Sequence, residues 1–393
     1  MGRIIIVGTG FSGSILARRI AEECNRRVEV IEKRPHIGGN MYDEYDENGI
    51  LIQKYGPHFL NTNKYFIIEF LEKYGELFPH STKLLSYIDG RYVQLPFNFR
   101  TLQQLVGAKK SESLLKKLRE KFNGRDRVPI FELVESDDSE IRDYGNLLFE
   151  KAYRTYTAKQ WGLEPEEIDK SVLDRVPMAM NYDERYLNKD FQYLPKKGFT
   201  ELFKNMLDHP NINVSLNTDA LLHIKFDEDS KSITYDGDKV ELLVFTGAID
   251  ELFGLKYGRL PYRSLDIKYK YENKKSILPE EIVSYPQAKG YTRSTEYKKI
   301  TYGLDQNIPV SMIATEYPLE YDPANPQANI PYYPVLTEDS QRRYKMYLGE
   351  SDKYGNIILC GRLAEFKYYN MDICIEHALE KFEEIRNRLE EQK

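Results

Sequence analysis

The sequence predicts an α/β fold in which a Rossmann-like dinucleotide-binding domain, assembled from discontinuous segments, carries a helical insertion domain and an antiparallel β-sheet domain. Three observations predict it. The apolar run Arg3-Ile4-Ile5-Ile6-Val7 leads directly into the turn Gly8-Thr9-Gly10-Phe11-Ser12-Gly13. The stretch from Thr101 to about Pro177 is charged, with apolar residues at helical spacing. Ser264 to Tyr271 alternates, which is the period of an antiparallel strand.

The first run is short, continuous and apolar, as a buried parallel strand requires. Ser14 to Cys24 reads as a helix, with Ile15, Leu16, Arg19 and Ile20 at helical spacing, and Val28–Ile31 as a second strand ending at Glu32. Asp43 to Gly49 reads as a solvated hairpin or loop. Lys64 to Tyr74 is helical, burying Phe66, Ile67, Phe70 and Leu71. Asp89-Gly90, between apolar residues, marks a hairpin over Tyr87–Leu95. In the helical stretch, Leu114, Leu115, Leu118 and Phe122 form one stripe, and Asp137-Asp138-Ser139-Glu140 reads as a solvated helix start.

Short strands follow at Ile212–Leu216, Ser232–Tyr235, Leu242–Gly247 and Ile357–Gly361. A final helix carries Cys374, Ala378, Phe382, Ile385 and Leu389 on one face. The first strand and those ending at Thr246-Gly247 and Gly361 are expected to share one sheet. The expected boundaries are 1–78, 195–250 and 350–393 for the dinucleotide domain, 100–178 for the helical insertion, and 79–99, 179–194 and 251–349 for the sheet domain.

Composition narrows the function. The chain has 393 residues, 56 basic against 62 acidic, for a net charge of −6, without the basic excess of a nucleic-acid binder. No apolar stretch approaches the ~18 residues of a membrane span, and the N-terminus enters a strand without a signal-peptide pattern. The three cysteines, Cys24, Cys360 and Cys374, are in no metal-ligand spacing. A cytoplasmic protein with no metal site and no membrane span is expected. The 31 tyrosines predict a pocket partly lined by flat rings with hydroxyl donors.

Each glycine of the first turn has a physical task. Gly8 allows the tight turn, Gly10 lets the backbone, with Phe11 and Ser12, approach a pyrophosphate, and Gly13 permits close packing of helix on strand. The phosphates fall on the helix N-terminus, where free N–H groups and the dipole favour anions. Glu32 stands where an acid takes ribose hydroxyls. The segment Glu32-Lys33-Arg34-Pro35-His36-Ile37-Gly38-Gly39-Asn40 adds a second glycine pair. It resembles the acid-x-Arg-x-x-x-Gly-Gly arrangement of FAD enzymes related to amine oxidases, and Cys360-Gly361-Arg362 resembles their late flavin-contacting strand. FAD is therefore the expected cofactor.

Further peptides resemble the UDP-galactopyranose mutase family. They are Tyr55-Gly56-Pro57-His58, Tyr156-Thr157-Ala158-Lys159-Gln160-Trp161-Gly162, Asn181-Tyr182-Asp183, Tyr257-Gly258-Arg259-Leu260, Ile330-Pro331-Tyr332-Tyr333-Pro334 and Gly361-Arg362-Leu363, in the family's order along nearly the whole chain. The resemblance implies an isomerase that interconverts UDP-galactopyranose and UDP-galactofuranose, for polysaccharide biosynthesis, with no net redox change. In that family N5 of the reduced flavin attacks the anomeric carbon, and the covalent sugar adduct opens and recloses.

The resemblance also assigns residues. Arg175 and Arg293 neutralise the diphosphate leaving group, a task for bidentate guanidinium contacts. Tyr186, Tyr317 and Tyr368 supply hydroxyls to it, and Tyr156 and Trp161 surround the uracil. His58 lies beside the flavin ring. Lys33, Asn40, Thr246, Gly247, Arg362 and Met371 join the cofactor contacts, with Ala220 near the adenine in place of the family's frequent aromatic residue. Asn61, Thr82 and Asn370 approach the hexose and depart from the family's usual histidine, asparagine and aspartate. Those departures open two alternatives of the same mechanism, UDP-N-acetylgalactosamine and a dTDP-6-deoxyhexose. An amine-oxidase-type FAD oxidoreductase and a non-catalytic binding module are the other classes. An external flavin reductant and a homodimer are also expected.

Overall fold

The computed structural model describes residues 2–162 and 176–391. A seven-stranded sheet runs in the order Ile212–Ser215, Val28–Ile31, Arg3–Val7, Asp238–Phe245, Ser232–Tyr235 and Ile224–Asp227, with Ile357–Leu359 also paired to Asp238–Phe245. The eight-residue Asp238–Phe245 strand accommodates two neighbours on one edge. Its start pairs antiparallel with Ser232–Tyr235, and its end pairs parallel with Ile357–Leu359. The other pairings among the Ile212, Val28, Arg3 and Asp238 strands are parallel. Four separated stretches of chain thus build the parallel layer, and the three strands expected to share a sheet do so.

Parallel strands need both faces covered, and the continuous apolar runs reflect this. One cover is the helix Phe11–Glu23, packed against the C-terminal helix Met371–Glu391. Ile15, Leu16 and Ile20 of the first share a core with Ile375, Ala378, Phe382, Ile385 and Leu389 of the second. Each large side chain buried there contributes about 1.5–3 kcal/mol. The first helix begins three residues earlier than its apolar spacing predicts, because the glycine turn itself forms the first turn.

The hairpin at Asp43–Tyr45 and Leu51–Gln53 is less solvated than expected. Asp43 is buried and accepts hydrogen bonds from the N–H groups of Phe199 (2.7 Å) and Thr200 (2.9 Å). It thereby caps the helix Gly198–Leu207 from far away in sequence. Burial raises its pKa, against the pull of those N–H groups.

A second seven-stranded sheet orders Tyr333–Pro334, Tyr262–Glu272, Ser311–Glu320, Arg293–Glu296, Ile282–Ser284, Leu84–Ile88 and Arg91–Leu95. It is antiparallel except where Ile282–Ser284 runs parallel to Leu84–Ile88. The helical insertion leaves this sheet after Leu95 and packs Leu102, Leu114, Leu115, Leu118, Phe122, Ile130, Leu133, Ile141 and Leu148 into a core shared with Leu84, Ile88, Val93, Leu95 and Ile282 of the sheet. Asp138 caps the helix Ser139–Leu148 through the N–H groups of Glu140 and Ile141. A widened turn at Phe149–Arg154 then feeds the helix Thr155–Trp161, which returns to the large sheet.

Candidate active site

A cavity of about 650 Å³ opens where the parallel strands end, at Val7, Ile31 and Phe245. This is where ligands bind in α/β sheets. Gly8 has φ +101°, and a Cβ there would lie 2.2 Å from Thr246 Oγ1. Gly13 leaves the cavity wall and packs beneath it, since its Cβ would stand 2.0 Å from the Gly8 carbonyl oxygen. A Cβ on Gly10 would meet nothing within 4 Å, so that glycine faces open space. Gly39, at φ +56°, backs onto Gly10, its Cβ position 3.2 Å from the Gly10 Cα. The helix start carries no acidic residue and no side-chain cap, so its N–H groups are left for an anion.

Glu32 lines the same wall. Its carboxylate accepts from Thr9 N–H (3.0 Å), Thr9 hydroxyl (2.6 Å) and Arg34 N–H (3.0 Å). Lys33 and Asp219 pair at 3.3 Å near Ala220 on this flank. Asn40, Gly38, Phe11, Ser12, Thr246, Gly247, Arg362 and Met371 also border the cavity. So does Arg34, which donates from Nη2 to Asn40 (2.8 Å) and lies 4.5 Å from the Tyr55 ring centre. Its Nη1 is buried without a partner. A cradle that any Cβ would fill and an orphaned guanidinium nitrogen on its wall both fit a bound dinucleotide diphosphate.

His58 borders the cavity and is half-buried. Gln53 fixes its backbone by accepting from His58 N–H (2.5 Å) and donating to His58 C=O (3.3 Å). Burial, then Arg362 and Arg293, push its pKa down to about 3. The ring is therefore neutral throughout the physiological range and offers one donor and one acceptor.

Arg293 stands opposite Glu316 on paired antiparallel strands. Its Nε donates to Glu316 Oε1 at 2.6 Å, and Glu316 is 2% exposed. Burial opposes the guanidinium charge, but Glu316 more than restores it, and the pKa shifts upward. Among the described residues, its Nη groups have no protein partner and are open to a ligand. Gly56, at φ +92°, turns beside the pair, where a Cβ would make only ordinary contact, 3.9 Å from Arg293 Nη2.

An aromatic wall adjoins this pair. Tyr368 meets Trp161 edge-on at 5.4 Å and Tyr333 at 5.2 Å, and the Arg362 guanidinium lies over Tyr333 and Tyr368. Tyr186, Tyr333 and Tyr368 border the cavity directly, whereas Tyr156 and Trp161 adjoin it, Trp161 packing against Tyr333 and Tyr368. Tyr156 is close enough to Arg293, Tyr186 and Tyr333 to feel their charges, and burial pushes the phenols of Tyr156 and Tyr333 up. Both remain neutral donors.

The expectation at Tyr317 is not met. Glu316 points inward to Arg293, so the pleat sends Tyr317 to the opposite face. There it lies beside Tyr291, with Lys268 over its ring. The cavity positions go instead to Tyr332 and Tyr333. Arg175 lies outside the described residues.

Asn61, Thr82 and Asn370 all line the cavity. Asn61 donates to Phe59 C=O at 3.2 Å, and Asn370 precedes the C-terminal helix. Thr82 Oγ1 is buried and has no partner. Beside it Leu84 and Ile282, directly paired across parallel strands, present an apolar surface. The sequence reading missed Arg34, Tyr333 and Glu316. The first two lay within quoted motifs, but Glu316 had no local signal. Among the described residues no acidic, histidine or cysteine cluster could hold a metal ion, and no helix is long and apolar enough to cross a membrane.

Comparison with known proteins converges on one family. Residues 151–368 match the sequence profile of UDP-galactopyranose mutase, and residues 6–73 that of an NAD(P)-binding Rossmann-like domain. The chain is 34% identical to an Escherichia coli dTDP-fucopyranose mutase, covering 97% of each. It is also 34% identical to a Mycoplasma genitalium UDP-galactopyranose mutase, over 97% of this chain and 94% of that one. A crystal structure of reduced UDP-galactopyranose mutase superposes with a TM-score of 0.74 at 16% identity, covering 98% and 95% of the two chains. A putrescine oxidase shares the fold at a TM-score of 0.59 and 13% identity, covering 98% and 99%.

Proposed function

The chain belongs to the UDP-galactopyranose mutase family, and we propose that it interconverts the pyranose and furanose forms of a nucleotide-linked hexose, UDP-galactose in the first instance. It is an isomerase, and its cofactor is FAD. The observation that carries this reading is the Arg293–Glu316 pair beside a wall of tyrosines, at the far side of a dinucleotide cradle. An oxidase acting on an amine needs no such diphosphate grip.

The Gly8–Gly13 turn, the Gly38-Gly39 pair, Glu32 and Arg34 would hold FAD. Bound there in its reduced form, the flavin would supply a nucleophilic ring nitrogen, chemistry that exchanges the bond to phosphate without net oxidation. The chain's own residues do the rest. Arg293 would meet the charge that grows on the departing diphosphate, as a donor held in place by Glu316 before the charge develops. Tyr186, Tyr333 and Tyr368 add hydroxyl donors, and Arg175 is proposed to complete the grip. Tyr156 and Trp161 frame the base. His58, kept neutral, would place a hydrogen-bond partner beside the flavin without adding a further cation to Arg293 and Arg362.

A second reading concerns the sugar. Thr82, Leu84 and Ile282 give this end of the cavity one unpaired hydroxyl and an apolar pair, a surface suited to a methyl group in place of a hydroxymethyl. Together with the E. coli dTDP-fucopyranose mutase relative, this favours a dTDP-6-deoxyhexose as the alternative substrate. We also propose an external flavin reductant, a homodimer and a cytoplasmic location, the last in keeping with three free cysteines.

Incubating the dithionite-reduced enzyme with UDP-galactose, UDP-N-acetylgalactosamine and dTDP-6-deoxygalactose, then separating products by chromatography, tests the reading. At least one is expected to yield its furanose isomer, and the oxidised enzyme should yield none. Oxygen-consuming turnover of an amine, with no ring-contracted sugar, would replace it with the oxidase reading.

A further inference from the structure

Lys159 makes an unusual set of contacts for a charged side chain. It sits on the helix Thr155–Trp161, between Tyr156 and Trp161. Its ammonium donates to three backbone carbonyls, Tyr285 (2.7 Å), Ala288 (2.8 Å) and Tyr291 (2.9 Å). These belong to one turn, which joins the Ile282–Ser284 strand to the Arg293–Glu296 strand. All three ammonium hydrogens are therefore spent on the backbone that ends two residues before Arg293. The turn is also closed on itself, with Tyr285 N–H donating to Thr292 C=O at 2.7 Å.

The opposite side of the same helix end is held by Arg263. It donates to the carbonyls of Gln160 (2.9 Å) and Lys159 (3.2 Å) and packs under Gly162. Two cations at a helix C-terminus suit the dipole, but no carboxylate among the described residues neutralises Lys159. Burial lowers its pKa from 10.5 to about 8. Burying an unpaired ammonium is costly, and an apolar side chain would fill the site more cheaply if packing were its only task. The contacts instead join two parts of the site that meet different ends of a nucleotide.

We infer that Lys159 is a positioning residue that staples the helix bearing Tyr156 and Trp161 to the turn bearing Arg293, so that nucleobase and diphosphate contacts are set as one unit. The inference rests on the nucleotide-sugar reading of the site. A neutral amine has two hydrogens for three carbonyls and turns its lone pair on the third, so the staple loosens when Lys159 loses its proton. The other charged or titratable groups on the packed elements include Arg263 with Glu320 near it, the Arg293–Glu316 pair, the exposed Lys289, the Asp89–Lys151 ion pair beside Gln287, and the phenols of Tyr87, Tyr156, Tyr285, Tyr291 and Tyr317. Tyr285 is pushed up to about 12 by burial and does not titrate near 8.

The chain's single tryptophan, Trp161, lies two residues from Lys159 and reports directly on this helix. Titrating the FAD-loaded protein with UDP or dTDP, by tryptophan fluorescence from pH 6.5 to 9.5, reads the staple without turnover. Wild type is expected to bind more weakly as pH rises through about 8. Lys159→Met is expected to bind about 10–100-fold more weakly at pH 7, the range for losing hydrogen bonds to a charged group, and to lack the step near pH 8. Lys159→Arg keeps a charge at every pH and should fold even where the methionine variant does not. It too should lose the step, with unchanged flavin content. A step that persists in Lys159→Arg, or wild-type affinity at pH 7 in a folded Lys159→Met, would overturn the staple. Failure of wild type to bind either diphosphate would instead overturn the nucleotide-sugar reading on which it rests.

Discussion

Arg293→Ala is expected to lower turnover of the nucleotide sugar by about 10²–10³-fold, the usual cost of removing one donor aimed at developing charge. Flavin content should be unchanged, because Arg293 lies beyond the glycine cradle. Glu316 complicates the substitution, since its 2%-exposed carboxylate loses its cation. Breaking a buried pair from one side costs about 3–5 kcal/mol of stability, so thermal unfolding must be followed alongside rate. Two companions separate the effects. Arg293→Ala with Glu316→Gln removes the stranded charge and should regain stability but no activity. Arg293→Lys keeps a cation for Glu316 and should fold normally, yet remain slow, because a point charge cannot replace a planar fork on a diphosphate. Equal kcat/KM in Arg293→Lys and wild type would show that the fork is not used.

Gly13→Ala carries the largest expected structural effect. Its Cβ would stand 2.0 Å from the Gly8 carbonyl oxygen and 3.0 Å from the carbonyl carbon. Both atoms are backbone, so neither can rotate away, and helix and strand must separate. Overpacking of this kind costs about 1–3 kcal/mol or more, and the turn that receives the pyrophosphate is deformed with it. The purified protein is expected to be colourless and to melt at lower temperature. Gly10→Ala is the control. At φ −70° an alanine is unstrained, and its methyl would project into the open cradle. It should leave the melting temperature of the flavin-free protein unchanged but abolish the flavin absorbance. Flavin retained in both variants would contradict the proposed cofactor seat.

How much of this was legible in the sequence depends on the distance between partners. The glycine turn, Glu32 and the strand ends at Thr246 and Gly361 are local signals, and they fall around one cavity as expected. The helix start at Asp138 was equally local. Asp43 was misread as solvated because the N–H groups it caps, those of Phe199 and Thr200, lie 156 and 157 residues away. Glu316 gave no signal at all, since its role exists only through the register that sets it opposite Arg293. The same register decides Tyr317. In a strand, neighbouring residues face opposite ways, so fixing Glu316 inward excludes the tyrosine beside it. A motif match without register could not distinguish Tyr317 from Tyr333. Lys159 stood in a quoted motif, but its task became visible only with three carbonyls of a distant turn around it.

The central claim is that this chain breaks and remakes the bond between the anomeric carbon and the diphosphate. It is tested most directly by placing oxygen-18 in that bridging position and following the phosphorus resonances. With reduced enzyme, recovered substrate is expected to show the label moved into the non-bridging oxygens, at least as fast as the furanose isomer appears. Oxidised enzyme should leave it in place. A furanose product that forms while the label stays wholly in the bridge would contradict the account, because the ring would then have changed size without the anomeric bond ever opening.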